Sequence, residues 1–327
     1  MKLRVAYMMN PRLAPLLDGT VQAEGIELEF ALGLSSHWFY HHLTQNDFDV
    51  FEYSISDYLI VRDRPELRHL EWTAIPIFLL KAYPPLHTHV NVHAGVNSLA
   101  DLKGKRFGLP DFEMTAGLWM RAMIRELYGI RPQDIDWYVG RPRGQGRSLE
   151  LGLDKNPPTG VSLTWLPEPR AMQRMLESGE IDAAFPGTDI LLRPSPTVRW
   201  LFEADDGRGF FEAFYRKTGF LPCNHTIVVQ RRILEREPWV AMALYDAFER
   251  SKQEAYRRAR ATQEAYLIFP GDDFDQQAAT FGADPYPSGL AANRRMLAMA
   301  GQESFDEGLI SRPPDVDELF WETVRAT

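Results

Sequence analysis

Several side chains in this 327-residue chain have the types and positions that handle a small anion and a proton. The stretch Leu99-Ala-Asp-Leu-Lys-Gly-Lys-Arg-Phe-Gly-Leu-Pro-Asp-Phe-Glu-Met-Thr115 reads as a capped turn, a short buried strand and a loop that opens a helix. A strand feeding a helix N-terminus makes an anion site, because free backbone N–H groups and the positive end of the helix dipole face whatever lies above the strand. Carboxylates are natural guests there. Thr115 could offer its hydroxyl and N–H to an oxyanion, or serve as a plain N-cap, and both uses can hold together. Glu113 could orient a cation or accept a proton. A solvated carboxylate is the commoner use of an acid at that end of a helix. Ser54 and Ser56 follow a strand and precede a helix, so they carry the same two readings.

Two further residues could act on such an anion. Lys81 follows an apolar strand on a loop, the kind of segment that carries function, and could anchor a carboxylate; its bland alternative is a solvated surface lysine. His225 stands between Asn224 and a run of β-branched residues. An imidazole there could deliver a proton near neutral pH, or equally serve as a hinge residue bonded to backbone. The histidines His37, His41 and His42, and the set His87, His89 and His93, have spacings that could bring ring nitrogens together. The first group lacks an evident third ligand, and no metal site is expected from either.

Composition bounds these readings. With 45% hydrophobic and 25% charged residues the chain resembles an ordinary soluble globular protein, long enough for two compact domains. Its 36 basic and 45 acidic residues give a net charge of −9, which argues against a nucleic-acid partner. The single cysteine, Cys223, excludes an internal disulfide framework. No apolar run is long enough to span a membrane. Leu3–Tyr7 already reads as a strand, with no secretory-type run before it. If residue 1 is the natural start, a cytoplasmic location is expected. Homo-oligomerisation stays open.

The elements that must position these residues follow from apolar periodicity. Strands are expected at Leu3–Tyr7, Gly25–Phe30, Phe48–Tyr53, Thr73–Phe78, His89–His93, Arg106–Leu109, Ile135–Val139, Ile181–Phe185, Thr197–Phe202 and Thr226–Gln230. Helices are expected at Trp38–Leu43, from Ser56, from Met114 to Tyr128 with Gly129 as C-cap, after Pro169 and after Pro238. More are expected at Asp275–Phe281, Gly289–Ala300, Glu303–Gly308 and Val316–Val324. Arg141–Pro158, rich in Gly, Pro and charge, reads as loop. The result is an α/β protein with parallel or mixed sheets. Ligands in such sheets sit outside the carboxyl ends of the strands. That singles out the segments after Tyr7, Tyr53, Phe78, Leu109, Phe185 and Pro222.

Three fragments resemble the type II periplasmic-binding-protein fold: Asp101-Leu-Lys-Gly-Lys-Arg-Phe-Gly108, Met175-Leu-Glu-Ser-Gly-Glu-Ile-Asp-Ala-Ala184 and Phe48-Asp-Val50. Others resemble one enzyme group on that fold, the 4,5-dihydroxyphthalate decarboxylase family. They are Ile75-Pro-Ile-Phe78, Pro110-Asp-Phe-Glu-Met-Thr-Ala116, Pro222-Cys-Asn-His-Thr-Ile-Val228, Pro238-Trp-Val240, and Asp284-Pro-Tyr-Pro-Ser-Gly-Leu290 with Asn293-Arg294. The similarity runs from about Leu3 to about Leu319. It implies a two-lobed architecture with a helical C-terminal tail. Residues 1–95 and 220–327 would form one lobe and 96–219 the other, with a ligand cleft between. The loop after Phe78 departs from the family: Lys81 replaces an arginine, and Pro84 and Pro85 stand where an Arg-His pair is usual. A guanidinium fork and an imidazole are lost there, and lysine offers only a point charge. His87 or His89 could serve in their place.

The resemblance implies decarboxylation of a hydroxylated aromatic acid, which in principle needs no cofactor. The protein must then supply a proton donor, an orienting cation and a dry pocket. Within that scheme His225 is the candidate acid and Lys81 the carboxylate anchor. Asp189, at a strand exit, would hold a phenolic hydroxyl or orient His225, unless it only stabilises its turn. Tyr7 would stack on the substrate ring, unless it is core. Ser54, Ser56, Glu113 and Thr115 would bind the substrate, a small aromatic carboxylate. The same fold also admits a solute-binding protein for a small organic anion, without catalysis.

Overall fold

The computed structural model describes residues 1–78, 87–141, 146–166, 171–187, 190–203, 207–266, 272–285 and 287–327. The sequence candidates Lys81 and Asp189, and the prolines Pro84 and Pro85, lie outside them.

Eleven strands form two sheets among the described residues. The first runs in the order β2 (Glu27–Gly33), β1 (Lys2–Met8), β3 (Val50–Ser54), β11 (His225–Gln230), β4 (Trp72–Ile75). Strands β2, β1 and β3 are parallel, and β11 enters antiparallel between β3 and β4. The second sheet runs β10 (Val198–Trp200), β5 (His89–Asn91), β9 (Ala183–Ala184), β6 (Arg106–Leu109), β7 (Asp136–Val139), β8 (Ser162–Trp165). Its β9, β6, β7 and β8 are parallel, while β5 is antiparallel to both neighbours. Strand β5 was expected with the first lobe; its backbone pairs in the second sheet instead.

The helices are α1 (Ala14–Leu17), α2 (Ser35–Thr44), α3 (Ile55–Asp63), α4 (Thr115–Tyr128), α5 (Arg147–Glu150), α6 (Ala171–Ser178), α7 (Arg208–Thr218), α8 (Arg231–Arg236), α9 (Trp239–Tyr266), α10 (Asp272–Phe281) and α11 (Leu290–Asp306). No described helix is long and apolar enough to cross a membrane. Strands and helices alternate as the α/β reading requires, and the last hundred residues are mostly helical.

Two elements matter most for the site. In α3 the Ser54 side chain accepts the Asp57 N–H and caps the helix, so the strand-to-helix turn is fixed by its own hydroxyl. In α4 the residues Leu118, Trp119, Ala122 and Met123 are fully buried, and Gly129 ends the helix in the left-handed conformation at φ 69°. Thr115 is the first helical residue rather than the cap, which is Met114. Helix α4 packs on α3, α7 and α11, and one apolar core runs from the first sheet through α4 to the second.

Four expectations change. The Arg141–Pro158 segment is not plain loop: it contains α5, with Arg141, Arg147 and Ser148 buried. Strand β8 follows it, outside the expected set. Glu303 belongs to α11, which runs unbroken to Asp306. Val316–Val324 is two short 3-10 turns, at Asp317–Leu319 and Glu322–Val324, with Phe320 bridging to Ala74 beside β4.

Candidate active site

The carboxyl ends of β3 and β6 each lead into a helix, and the two helix starts touch. Ser54 Oγ lies 2.8 Å from Thr115 Oγ1, and Thr115 Oγ1 accepts the Ser56 N–H at 3.0 Å. Three of the expected residues are therefore one cluster, at the junction of α3 and α4. Antiparallel pairing puts His225 opposite Ser54. The chain before it is held as well: Ile55 N–H donates to the Asn224 carbonyl at 3.0 Å. Ser56 Oγ, Asn224 Oδ1 and the Tyr53 hydroxyl are buried with no hydrogen-bond partner among the described residues. Buried polar atoms left open in this way mark where water or a ligand completes the set.

His225 is the one ring at this junction with part of its surface open, its side chain being 11% exposed. Its Nδ1 lies 2.6 Å from Glu52 Oε1, and Glu52 Oε2 accepts the Met8 N–H at 2.9 Å. The edge of the imidazole meets the Phe39 ring, centroids 4.8 Å apart. Nε2 takes no partner among the described residues.

Behind the hydroxyls lies a buried charge cluster. Arg147 of α5 ion-pairs with Asp57 of α3 at 2.9 Å and sits 3.8 Å from Glu113 and 3.9 Å from Asp111. Arg141 pairs with Asp111. Ser148 Oγ lies 3.1 Å from Asp111 Oδ1 and also within hydrogen-bond reach of Glu113 Oε2, its one hydroxyl hydrogen serving one of the two. All of these side chains are at most 4% exposed. Burial, then the Asp111 and Asp57 carboxylates, push Glu113 well above the usual carboxylic-acid range. Burial also raises Asp57, against the opposing pull of Arg147. Burial works against the Arg147 charge, but Asp57, Asp111 and Glu113 outweigh it and hold the guanidinium charged.

The remaining candidates fall elsewhere. Glu113 was read as a solvated acid or a ligand contact at a helix start; it is an interior group bound to Ser148. Tyr7 is buried, with one face stacked on Phe248 at 5.8 Å. Burial first, then Glu52, raise its phenol well above its ordinary range. His87 is exposed, and His89 is buried with Nδ1 at 2.9 Å from the His87 carbonyl. His41 pairs with Asp47 at 2.6 Å, while His42 is fully buried. Among the described residues no group of three ligating side chains could hold a metal ion.

Glu52, Asp57, Asp111, Arg141, Arg147 and Ser148 were not foreseen. A signal existed for two: Glu52 is a charge set between Phe51 and Tyr53 inside the expected strand Phe48–Tyr53, and Asp57 the lone acid in an otherwise apolar helix start. The arginines gave no such signal, since a Gly- and Pro-rich charged stretch reads as solvated.

No family model matches the chain. A 4,5-dihydroxyphthalate decarboxylase of Comamonas testosteroni is 32% identical over 324 residues, 98% of this chain and 96% of that protein. A protein of the same name from Pseudomonas putida is 29% identical over 222 residues, covering 67% of this chain and 83% of its own. The periplasmic aliphatic sulphonate binding protein SsuA from Escherichia coli aligns with a TM-score of 0.51 at 14% identity, over 100% of this chain and 99% of that one. At that identity the likeness concerns the fold, which is that of the periplasmic binding proteins with additional C-terminal helices.

Proposed function

The chain belongs to the 4,5-dihydroxyphthalate decarboxylase family, and on that premise we propose that it decarboxylates a hydroxylated aromatic carboxylic acid of the dihydroxyphthalate kind. The observation that carries this is identity to a decarboxylase along nearly the whole chain. The fold alone would equally suit a carrier of small anions.

In this reading the two lobes are built on the two sheets, the first from both ends of the chain and the second from its middle, β5 included, and the substrate binds where α3 and α4 begin. The hydroxyls of Ser54, Ser56 and Thr115, with the two helix starts, hold a substrate oxyanion. Lys81 anchors a carboxylate from its loop, and Asp189 holds a ring hydroxyl. A hydroxyl ortho or para to the departing carboxylate feeds electrons into the ring. His225 passes the proton on Nε2 to the carbon that bears the carboxylate. The C–C bond then breaks, its electron pair restores the aromatic ring, and CO2 leaves. One proton is consumed per turnover, and His225 regains it from solvent. Proton transfer from a placed side chain is worth roughly 10²–10⁴-fold; positioning and electrostatics supply the rest.

The test is CO2 release with a panel of hydroxybenzoates and hydroxyphthalates, run beside thermal-shift binding. Turnover is expected with at least one ortho- or para-hydroxylated acid. His225→Ala should fold and bind yet lose about 100-fold or more in kcat. Binding without turnover across the panel would make the protein a carrier.

A further inference from the structure

Glu52 reaches His225 from β3, two residues before the Ser54 that pairs with the histidine across the sheet. Its two oxygens have separate tasks. One lies 2.6 Å from His225 Nδ1, and the other accepts the Met8 N–H at 2.9 Å. The side chain is 1% exposed, so water does not compete for either bond. The carboxylate is thus fixed at both ends, by strand β1 and by the imidazole it addresses. We propose that Glu52 is the positioning residue of the reaction: it holds a proton on His225 Nδ1, turns Nε2 toward the substrate, and stabilises the imidazolium that donates from Nε2. This inference rests on the decarboxylase reading for its catalytic consequence, but not for the pairing itself. Among the described residues the carboxylate at bonding distance is Glu52; Asp189, which the sequence offered either for a phenolic hydroxyl or for this task, lies outside them.

The physical case is directional. A neutral imidazole has one N–H, and a carboxylate on Nδ1 selects the tautomer that leaves Nε2 bare. The imidazolium then has its mobile proton on Nε2, the nitrogen with no partner among the described residues. Other titratable or charged groups around the pair are Tyr7 on β1, Tyr53 on β3, Cys223 on the preceding turn, and Arg147, whose guanidinium lies 5.4 Å from the centre of the Phe39 ring that meets His225. Burial raises the Tyr7 phenol well above its ordinary range, so it supplies no anion near neutral pH, and Arg147 would repel the imidazolium. Glu52 is the carboxylate in contact.

Three measurements decide it. Glu52→Gln should lower kcat by about 10- to 100-fold with KM changed less than about threefold. Glu52→Asp keeps the charge on a shorter arm and should recover part of that loss in kcat. An unchanged kcat in Glu52→Gln would overturn the proposal. Should that variant fail to fold, ¹⁵N-histidine NMR of the unaltered protein reads the pairing directly. Nδ1 of His225 should stay protonated from about pH 5 to about pH 9, and an unprotonated Nδ1 at the upper end would overturn it too. If no aromatic acid is decarboxylated, the functional reading fails while the NMR result still stands or falls by itself.

Discussion

The buried cluster behind the site contains three carboxylates, Asp57, Asp111 and Glu113, and two guanidinium groups, Arg141 and Arg147, among the described residues. An unmatched charge in a dry interior costs several kcal/mol, enough to offset the roughly 3 kcal/mol of protonating one acid at neutral pH. The surplus is removed where it is cheapest. Glu113 faces two other carboxylates and shares Ser148 with one of them, so it is the acid pushed most strongly toward its neutral form. Glu113→Gln, which copies a protonated carboxyl, should therefore leave stability within about 1 kcal/mol of the parent. Arg147→Met removes the cation that serves Asp57 and Asp111, and should cost about 3–5 kcal/mol. Urea unfolding of the two variants checks both. A Gln variant as damaged as the Met variant would mean that Glu113 is charged.

At the scale of elements, α2 lies on the first sheet through an aromatic face. His42 sits 3.9 Å from the Phe51 ring centre and within 6.3 Å of Trp38, and neither of its ring nitrogens has a hydrogen-bond partner among the described residues. Burial, then the neighbouring His41, lower its pKa well below 6.5. The unfolded chain then binds a proton that the folded chain refuses. Stability is full above about pH 6.5 and falls as pH drops toward the depressed folded value, by up to about 1.4 kcal/mol per unit. His42→Leu should flatten this slope between about pH 6.5 and about pH 5 in denaturant titrations. An equal slope in the variant would move the effect to another group.

The elements that the sequence announces are those whose partners are near in the chain or whose burial is one-sided. Strands β1 and β6 and helix α4 carry clear apolar periodicity, and Ser54, Ser56, Thr115 and His225 stand out in the sequence because Ser54 and His225 fall at strand ends and Ser56 and Thr115 at helix starts. What escaped depends on distant partners. His225 and Glu52 are 173 residues apart, and Arg121 and Glu307, a fully buried pair joining α4 to the turn after α11, are 186 apart. Charge pairs of this kind look like solvated charges until the fold brings them together. The tail was misread for a related reason. Its apolar residues suggested a helical face, but Leu319 and Phe320 are buried because they lie against Tyr58 and Ala74.

For the whole molecule, that tail closes the border of the first sheet. Tyr58 donates to the Leu319 carbonyl at 2.6 Å and accepts the Ala74 N–H at 3.2 Å, and Trp321 N–H donates to the Ala74 carbonyl at 3.1 Å. Gly289, at φ 94°, has no room for a side chain because the Thr327 backbone lies against it. Removing residues 320–327 should bare the β4 edge, lower the thermal midpoint by several degrees and produce self-associated species by size-exclusion chromatography. A monomer of unchanged midpoint would show that the border needs no cover.

The insertion of β11 between β3 and β4 has its consequence on the ribosome. Those two strands leave the exit tunnel early, yet neither can pair with the other, since the place between them belongs to residues synthesised some 150 positions later. At translation speeds of about 5–20 residues per second this is a wait on the order of ten seconds. Through it the nascent chain carries an unfinished sheet, and His225 and the carboxylate that meets it first come together only when that gap is filled.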